Sequence, residues 1–148
     1  MSRIIFSLIL IIGFASMGVS QTPTNKGGIT IKLIRFRNDK GQTCVSLFNN
    51  PKGFPGKHEY AYKIMRCGIK GKQAIIEFTD LPYGTYAVGV LHDENLNNKM
   101  DTNIIGIPKE GFGTSNNPKS FMGPPSFESA AFELNSTNKT IEINIKYL

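Results

Sequence analysis

The chain has 148 residues, and 17 Lys and Arg against 11 Asp and Glu give it a formal net charge of +6. This length suits one domain with a proper core. The positive charges are dispersed, with no basic run and no aromatic-interleaved motif, which disfavours nucleic-acid binding and leaves only weak attraction to acidic envelope surfaces.

The first 20 residues have the order of a secretory signal peptide. Arg3 precedes the apolar run Ile4–Ile12, and small residues follow. This pattern predicts cleavage near Gln21 and a secreted or periplasmic protein. The apolar run is interrupted at Gly13 and falls short of the ~20 residues that a membrane-spanning helix needs, so no transmembrane segment is expected in the mature protein.

A short polar lead-in at residues 21–26 precedes the expected domain at residues 27–148. Apolar and polar residues alternate from Ile29 to Leu33, which predicts a half-buried strand. The turn residues Asn38–Gly41 and the apolar stretch Thr43–Phe48 then predict the returning strand of a hairpin.

The middle of the chain contains a loop and the expected centre of the domain. Pro and Gly break regular structure over Asn49–Glu59, and Tyr60–Cys67 fits a strand or an irregular connection equally well. Gln73–Phe78 alternates, and the tight turn at Leu81–Gly84 leads into the β-forming stretch Thr85–Leu91. These two strands are expected to form the central pair.

The tail supplies two further strands, Ser129–Leu134 and Lys139–Tyr147, joined by a turn at Asn135–Asn138. No segment sustains the three- and four-residue spacing of an amphipathic helix. The fold expected is therefore all-β: a single antiparallel β-sandwich, immunoglobulin-like or transthyretin-like, with six to seven strands and one long ordered loop after Leu91.

The chain has two cysteines, Cys44 and Cys67, each in or beside a strand-like stretch. In an exported protein such a pair is a candidate disulfide. The alternative is a pair of buried thiols that pack as small apolar side chains.

The stretch from His92 to Asn117 carries oxygen-bearing side chains at every second position, in the spacing of the first half of a calcium-binding loop. Asn98 stands where glycine normally makes the sharp turn, and Ile104 stands where a bidentate glutamate closes the site. The alternative is a surface loop whose Asn and Asp side chains bond to their own backbone. The calcium ligands predicted by the spacing are Asp93, Asn95, Asn97, Lys99 and Asp101.

The segment LPYGTYAVGVLHDENLNNKMDTNIIGIPKEGFGTSNN, followed by Phe127 and Ala130–Phe132, resembles a family of exported bacterial proteins, domain of unknown function 2141. Asn98 replaces the family's usual glycine, and Thr114 replaces a usual aromatic residue. The resemblance implies no assigned reaction. The stretch LPYGTYAV is also similar to transthyretin-like and carboxypeptidase-regulatory-like sandwiches, which are commonly accessory or binding modules.

These patterns favour a non-catalytic binding or structural module that presents the Asp93–Asn117 loop to an envelope protein or a small ligand. The binding residues expected are His92, Glu110, Ser115 and Asn116. His92 has a second interpretation, as a structural histidine that is hydrogen-bonded beneath the loop instead of binding a ligand. A hydrolase using His92, Asp93 and Glu110 is the alternative function, although neighbours on a strand point to opposite faces.

Overall fold

The computed structural model of the protein describes residues 25–119 and 123–148. The expected signal peptide at residues 1–20 and its cleavage near Gln21 lie outside the described residues. Within the described ranges, no helix is both long enough and apolar enough to span a membrane.

Eight strands dominate the described structure, and the helical content is two short segments. The helical segments are a 3₁₀ turn at His58–Tyr60 and α1 at Phe127–Ala130. The strands are β1 Lys26–Ile34, β2 Gln42–Phe48, β3 Lys63–Cys67, β4 Gln73–Pro82, β5 Gly84–Asp93, β6 Gly111–Thr114, β7 Phe132–Leu134 and β8 Asn138–Asn144.

Alternation of apolar residues located most of these strands correctly, and two segments differ from the prediction. The expected strand Ser129–Leu134 begins instead as helix α1, because the Ser126 side chain caps its first turn by accepting from the N–H of Ser129 at 3.2 Å. Strand β6 was not predicted, because its glycines give no strand signal. A Cβ on Gly111 would lie 2.5 Å from the Tyr147 ring, so close packing demands glycine there.

The strands form two sheets, one in the order β4–β1–β8 and one in the order β3–β2–β5–β6, with β7 pairing with the first residues of β5. All pairings between named strands are antiparallel except that of β1 with β8, which is parallel. The antiparallel prediction therefore holds for every pair but one.

The expected hairpin of β1 and β2 is wrong, because its turn carries the chain from one sheet to the other. Strands β1 and β2 lie in different sheets, as do β4 and β5, and β7 and β8. At the first of these connections, the Asp39 carboxylate accepts from the N–H groups of Gly71 and Lys72 at 2.8 and 2.6 Å. This contact ties the β1–β2 connection to the β3–β4 turn instead of closing a hairpin.

One hydrophobic core contains side chains of both sheets. The first sheet contributes Ile31 and Phe78, and the second contributes Val45 and Val88, all at most 2% exposed. The two sheets thus contribute to one core, and the all-β prediction is confirmed.

The outer face of the second sheet is also covered, by the loop between β2 and β3. Phe54 packs edge-on against Phe48 of β2, with ring centroids 5.3 Å apart. The Pro55 carbonyl oxygen lies only 2.5 Å from the position that a Cβ on Gly89 would take, so glycine at this point of β5 lets the loop backbone lie directly on the strand.

The two cysteines are free thiols, so the expected disulfide is not formed. They lie on the neighbouring strands β2 and β3, where Thr43 stands opposite Cys67 and Cys44 stands opposite Arg66. Because directly opposite residues share a face and successive residues alternate, the two cysteine side chains point to opposite faces of the sheet.

Candidate functional site

His92 lies near the end of β5 and has no exposed surface. Its Nε2 donates to the Lys40 carbonyl at 2.8 Å, and its Nδ1 accepts from the Tyr147 hydroxyl at 2.7 Å. The proton is placed on Nε2 because a carbonyl can only accept. The Tyr147 hydroxyl in turn accepts from the N–H of Arg37 at 3.1 Å. Both ring nitrogens are therefore bonded inside the protein, as in the interpretation of His92 as a histidine under the loop.

Asp93 closes the first turn of the loop. Its buried carboxylate accepts from the N–H groups of Asn97 and Asn98 at 3.1 and 2.9 Å. It also accepts from the side chain of Gln42, which stands directly opposite on β2, at 3.1 Å. A carboxylate that accepts two backbone amides acts as a cap for the turn that follows.

The other expected calcium ligands gather around Asp101 and bond to one another. The Asp101 carboxylate accepts from the side-chain amides of Asn95 and Asn97 at 2.6 and 3.0 Å. The Asn95 side chain also accepts from the N–H of Asn97, and Asn97 accepts from the N–H of Lys99. Across residues 25–119 and 123–148, no three His, Cys, Asp or Glu side chains gather into a metal-binding group. In the described geometry these side chains bond to one another and to nearby backbone N–H groups.

Glu110 joins the two ends of this turn. It is 4% exposed, and its two carboxylate oxygens accept from the N–H groups of Glu94 and Asp101 at 2.9 and 3.1 Å. Glu94 itself points outward to the guanidinium of Arg37, at 2.8 Å from Nε. That hydrogen bond is the main cause that holds the pKa of Glu94 at about 2, below its ordinary value of 4.5.

Ser115 and Asn116, expected to bind a ligand, anchor the end of the loop. The Ser115 hydroxyl donates to the Ala130 carbonyl at 2.6 Å and accepts from the N–H of Val88 at 2.9 Å. The Asn116 side chain donates to the Ala131 carbonyl at 2.8 Å. The structure therefore brings Asp93, Asp101 and Glu110 to one turn of the loop. Ser115 and Asn116 lie apart from that turn, because Ser115 bonds to Val88, four positions before His92 on β5.

A groove of about 900 Å³ runs along the outer face of the second sheet, and sequence reasoning did not find it. One wall is the covering loop from Lys52 to Tyr60, and the other is part of the Asp93–Asn117 loop. Residues of both walls and of the floor include Phe54, Pro55, Leu91, Met100, Pro108 and Phe112. The lining is mainly apolar, which is typical of small-molecule sites.

The polar groups of the groove are basic or neutral. Among the described residues that line it, the charged side chains are Lys52, Lys57 and Lys146. His58 also lines it, with Nδ1 2.6 Å from the hydroxyl of buried Ser46. Burial is the main cause that lowers the pKa of His58 below its ordinary value of 6.5.

Comparison with known proteins matches residues 31–142 to a family described as an uncharacterized protein conserved in bacteria, DUF2141. The chain belongs to the DUF2141 family. The resemblance carried by the Leu81–Asn117 segment is thereby confirmed. No curated protein sequence and no solved structure was found to match the chain.

The structure accommodates Asn98 and Thr114, the two positions at which the resemblance implied a departure from the usual residues of the family. Asn98 has a φ of +61°, in the left-handed region that glycine adopts most easily and that Asn tolerates better than other residues. The tight turn therefore forms without glycine. Thr114 is 6% exposed, pairs with Gly89 across the ladder and lines the groove.

The residues of the hydrolase alternative are used to hold this DUF2141 loop in place. His92 and Asp93 are successive residues of β5 and point to opposite faces, and Glu110 bonds to two backbone amides. What the geometry offers chemically is a preformed, largely apolar groove with a basic margin. The Asn49–Glu59 loop that forms one wall of this groove is rich in Gly, Pro and Lys. In the sequence these residues predict only a break in regular structure.

Proposed function

We propose that this DUF2141 protein is exported and is a non-catalytic binding module whose ligand lies in the groove between the Lys52–Tyr60 and Asp93–Asn117 loops. The observation that carries the proposal is the groove itself, about 900 Å³ in volume and mainly apolar. Its volume is within the range of small-molecule sites, about 300–1,000 Å³.

The ligand class follows from the lining. Apolar side chains such as Leu91 and Phe112 favour a hydrocarbon or ring system, because its burial removes apolar surface from water. The three lysines favour an anionic group at the edge of the ligand. A small amphiphile with a carboxylate or similar anion combines both features.

Binding accounts for the loop better than hydrolysis does. A general acid or base must reach the substrate with a free lone pair or proton. The carboxylates of Asp93 and Glu110 instead accept from backbone amides on one or both oxygens and are nearly fully buried. These residues serve to preorganise one wall of the groove.

A calcium-stabilised form of the same loop is a second candidate. It is favoured by the closeness of three oxygen-bearing side chains, since Asn95 and Asn97 both lie within hydrogen-bonding distance of the Asp101 carboxylate. Turning the two amides about their terminal bonds would direct their oxygens toward a cation. Calcium would then stabilise the groove wall and leave the binding function unchanged.

The test is calorimetric titration with three ten-carbon amphiphiles below their micelle concentrations: decanoate, decyltrimethylammonium and decyl maltoside. Decanoate should bind most tightly, and K52Q combined with K57Q should weaken it roughly fivefold. Substituting Met100, which lines the groove, with Trp should weaken binding by narrowing the groove, whereas I75W on the exposed face of β4 should not.

Three outcomes would contradict parts of the proposal. Absence of binding by all three amphiphiles would contradict the groove as a binding site. Equal binding of all three would support the groove as a binding site but contradict the preference for an anionic ligand. Turnover of an ester substrate that is lost in E110Q, with the fold retained, would favour the hydrolase.

A further inference from the structure

A second feature of the Asp93–Asn117 loop is the hairpin-like tip at residues 101–109. Thr102 pairs with Pro108 across an isolated antiparallel bridge, and the N–H of Lys109 donates to the Asp101 carbonyl at 2.8 Å. The N–H of Asn103 donates to the Ile107 carbonyl at 2.9 Å. Residues 101–109 therefore form a hairpin-like projection from the groove wall, held by hydrogen bonds between its two arms.

The turn itself is held by one side chain. The side-chain oxygen of Asn103 accepts from the N–H groups of Ile105 and Ile107 at 3.0 and 2.9 Å, and its carbonyl accepts from the N–H of Gly106 at 3.0 Å. Gly106 has a φ of +82°, which suits glycine at a turn. Because the N–H groups of Asn103, Ile105, Gly106 and Ile107 are bonded within the tip, its backbone is held in place without a partner.

This ordered tip presents three isoleucines to solvent. Ile104 is 103% exposed, Ile105 is 74% exposed and Ile107 is 40% exposed. Single exposed apolar residues are ordinary, but a contiguous cluster at the end of a projection marks an interaction site. Their side chains remain in water in the described structure, so a partner that buries them gains the free energy of removing that surface.

We propose that the Ile104–Ile107 tip inserts into the surface of an anionic lipid membrane. The contact is small: three side chains are far fewer than the about 20–30 residues per side of a stable protein interface, whereas a lipid surface needs only a few inserted side chains. The charge also fits. Gly106 and Pro108 of the tip line the groove together with Lys52, Lys57 and Lys146, and these lysines supply positive charge beside the tip that attracts an anionic surface.

The tip and the groove share residues. Gly106 and Pro108 belong to the turn and also line the groove. Membrane contact through the isoleucines would therefore place the groove beside the lipid headgroups, where an anionic amphiphile enters or leaves the bilayer. The insertion proposal itself does not depend on the groove ligand.

The experiment is co-sedimentation with vesicles, using the mature protein and two lipid compositions. One set contains phosphatidylglycerol and phosphatidylcholine, and the other contains phosphatidylcholine alone. The protein should bind the anionic vesicles, and the double variant I104S/I105S should lose roughly 10- to 100-fold in partitioning for each isoleucine removed. The matched control I75S alters an isoleucine of β4 that is 61% exposed and lies away from the tip, and should bind as the unaltered protein does.

Each other outcome overturns the insertion. Failure to bind anionic vesicles overturns it directly. Binding that persists in I104S/I105S and disappears with added salt would show a general charge effect of the basic chain. Concentration-dependent dimerisation that I104S/I105S removes, without vesicle binding, would show that a second copy of the chain covers the tip.

Discussion

The substitution D93A tests whether the long loop is held by its own carboxylates. Asp93 is buried and accepts three hydrogen bonds, from the N–H groups of Asn97 and Asn98 and from the Gln42 side chain. Hydrogen bonds to charged groups contribute about 1.5–3 kcal/mol each. The three are not additive, because the freed amides of the exposed residues Asn97 and Asn98 regain water. Alanine also removes the cost of burying a charge.

The net loss expected for D93A is about 3 kcal/mol in the free energy of unfolding, or roughly 10 °C in melting temperature for a domain of this size. The assay is circular dichroism melting, run once with calcium and once with a chelator. The loss should be the same in both. The control D101A removes a carboxylate whose side-chain partners are the exposed residues Asn95 and Asn97, so it should cost less than about 1 kcal/mol.

Two results would refute the self-capped loop. A melting temperature of D93A within a degree of the unaltered protein would show that the Asp93 contacts do not hold the structure. A calcium-dependent rise in melting temperature that both D93A and D101A abolish would establish the calcium-stabilised loop in its place.

Two further predictions concern the Glu94–Arg37 ion pair and the close approach of Pro55 to Gly89. Because the pKa of Glu94 is lowered from 4.5 to about 2, its pair with Arg37 stabilises the fold fully above pH 4.5 and ceases to do so as the pH falls toward 2. Both side chains are partly exposed, so the pair contributes about 1 kcal/mol to the free energy of unfolding. Urea titrations should show that this free energy falls less steeply between pH 5 and 2 in R37Q than in the unaltered protein. If the free energy of unfolding falls as steeply with pH in R37Q as in the unaltered protein, the Glu94–Arg37 pair is not the source of that fall. For G89A, the added Cβ meets the Pro55 carbonyl, so this variant should lose about 1–3 kcal/mol and bind decanoate more weakly. G68A, whose Cβ meets nothing within 4 Å, is the control, and equal effects of the two would contradict the close approach of the loop.

Periodicity in the sequence predicted the strands well because a half-buried strand must alternate. It did not predict which strands pair, because alternation identifies the buried face and not the neighbour. The connection after β1 illustrates this limit. Its turn residues are those of a hairpin, but Asp39 bonds to the distant Gly71 and Lys72 and directs β2 into the other sheet.

The candidate site was predicted in part for the same reason. The oxygen-bearing residues from Asp93 to Asp101 do gather, since their spacing is local. Whether Glu110 faces inward or outward depends on the amides of Glu94 and Asp101, which no local pattern specifies. The groove depends on a contact between Pro55 and Gly89, 34 positions apart, and the Gly and Pro residues of the Asn49–Glu59 loop indicate a loop without indicating where it packs.

The most direct test of the proposed function is a nuclear magnetic resonance titration of the ¹⁵N-labelled protein with decanoate. The backbone amide signals that shift should belong to the two groove walls, including those of His58, Phe112 and Thr114, and the shifts should be smaller in M100W. Signals that do not move, or that move on the exposed face of β4 around Ile75 instead, would contradict the groove as the binding site.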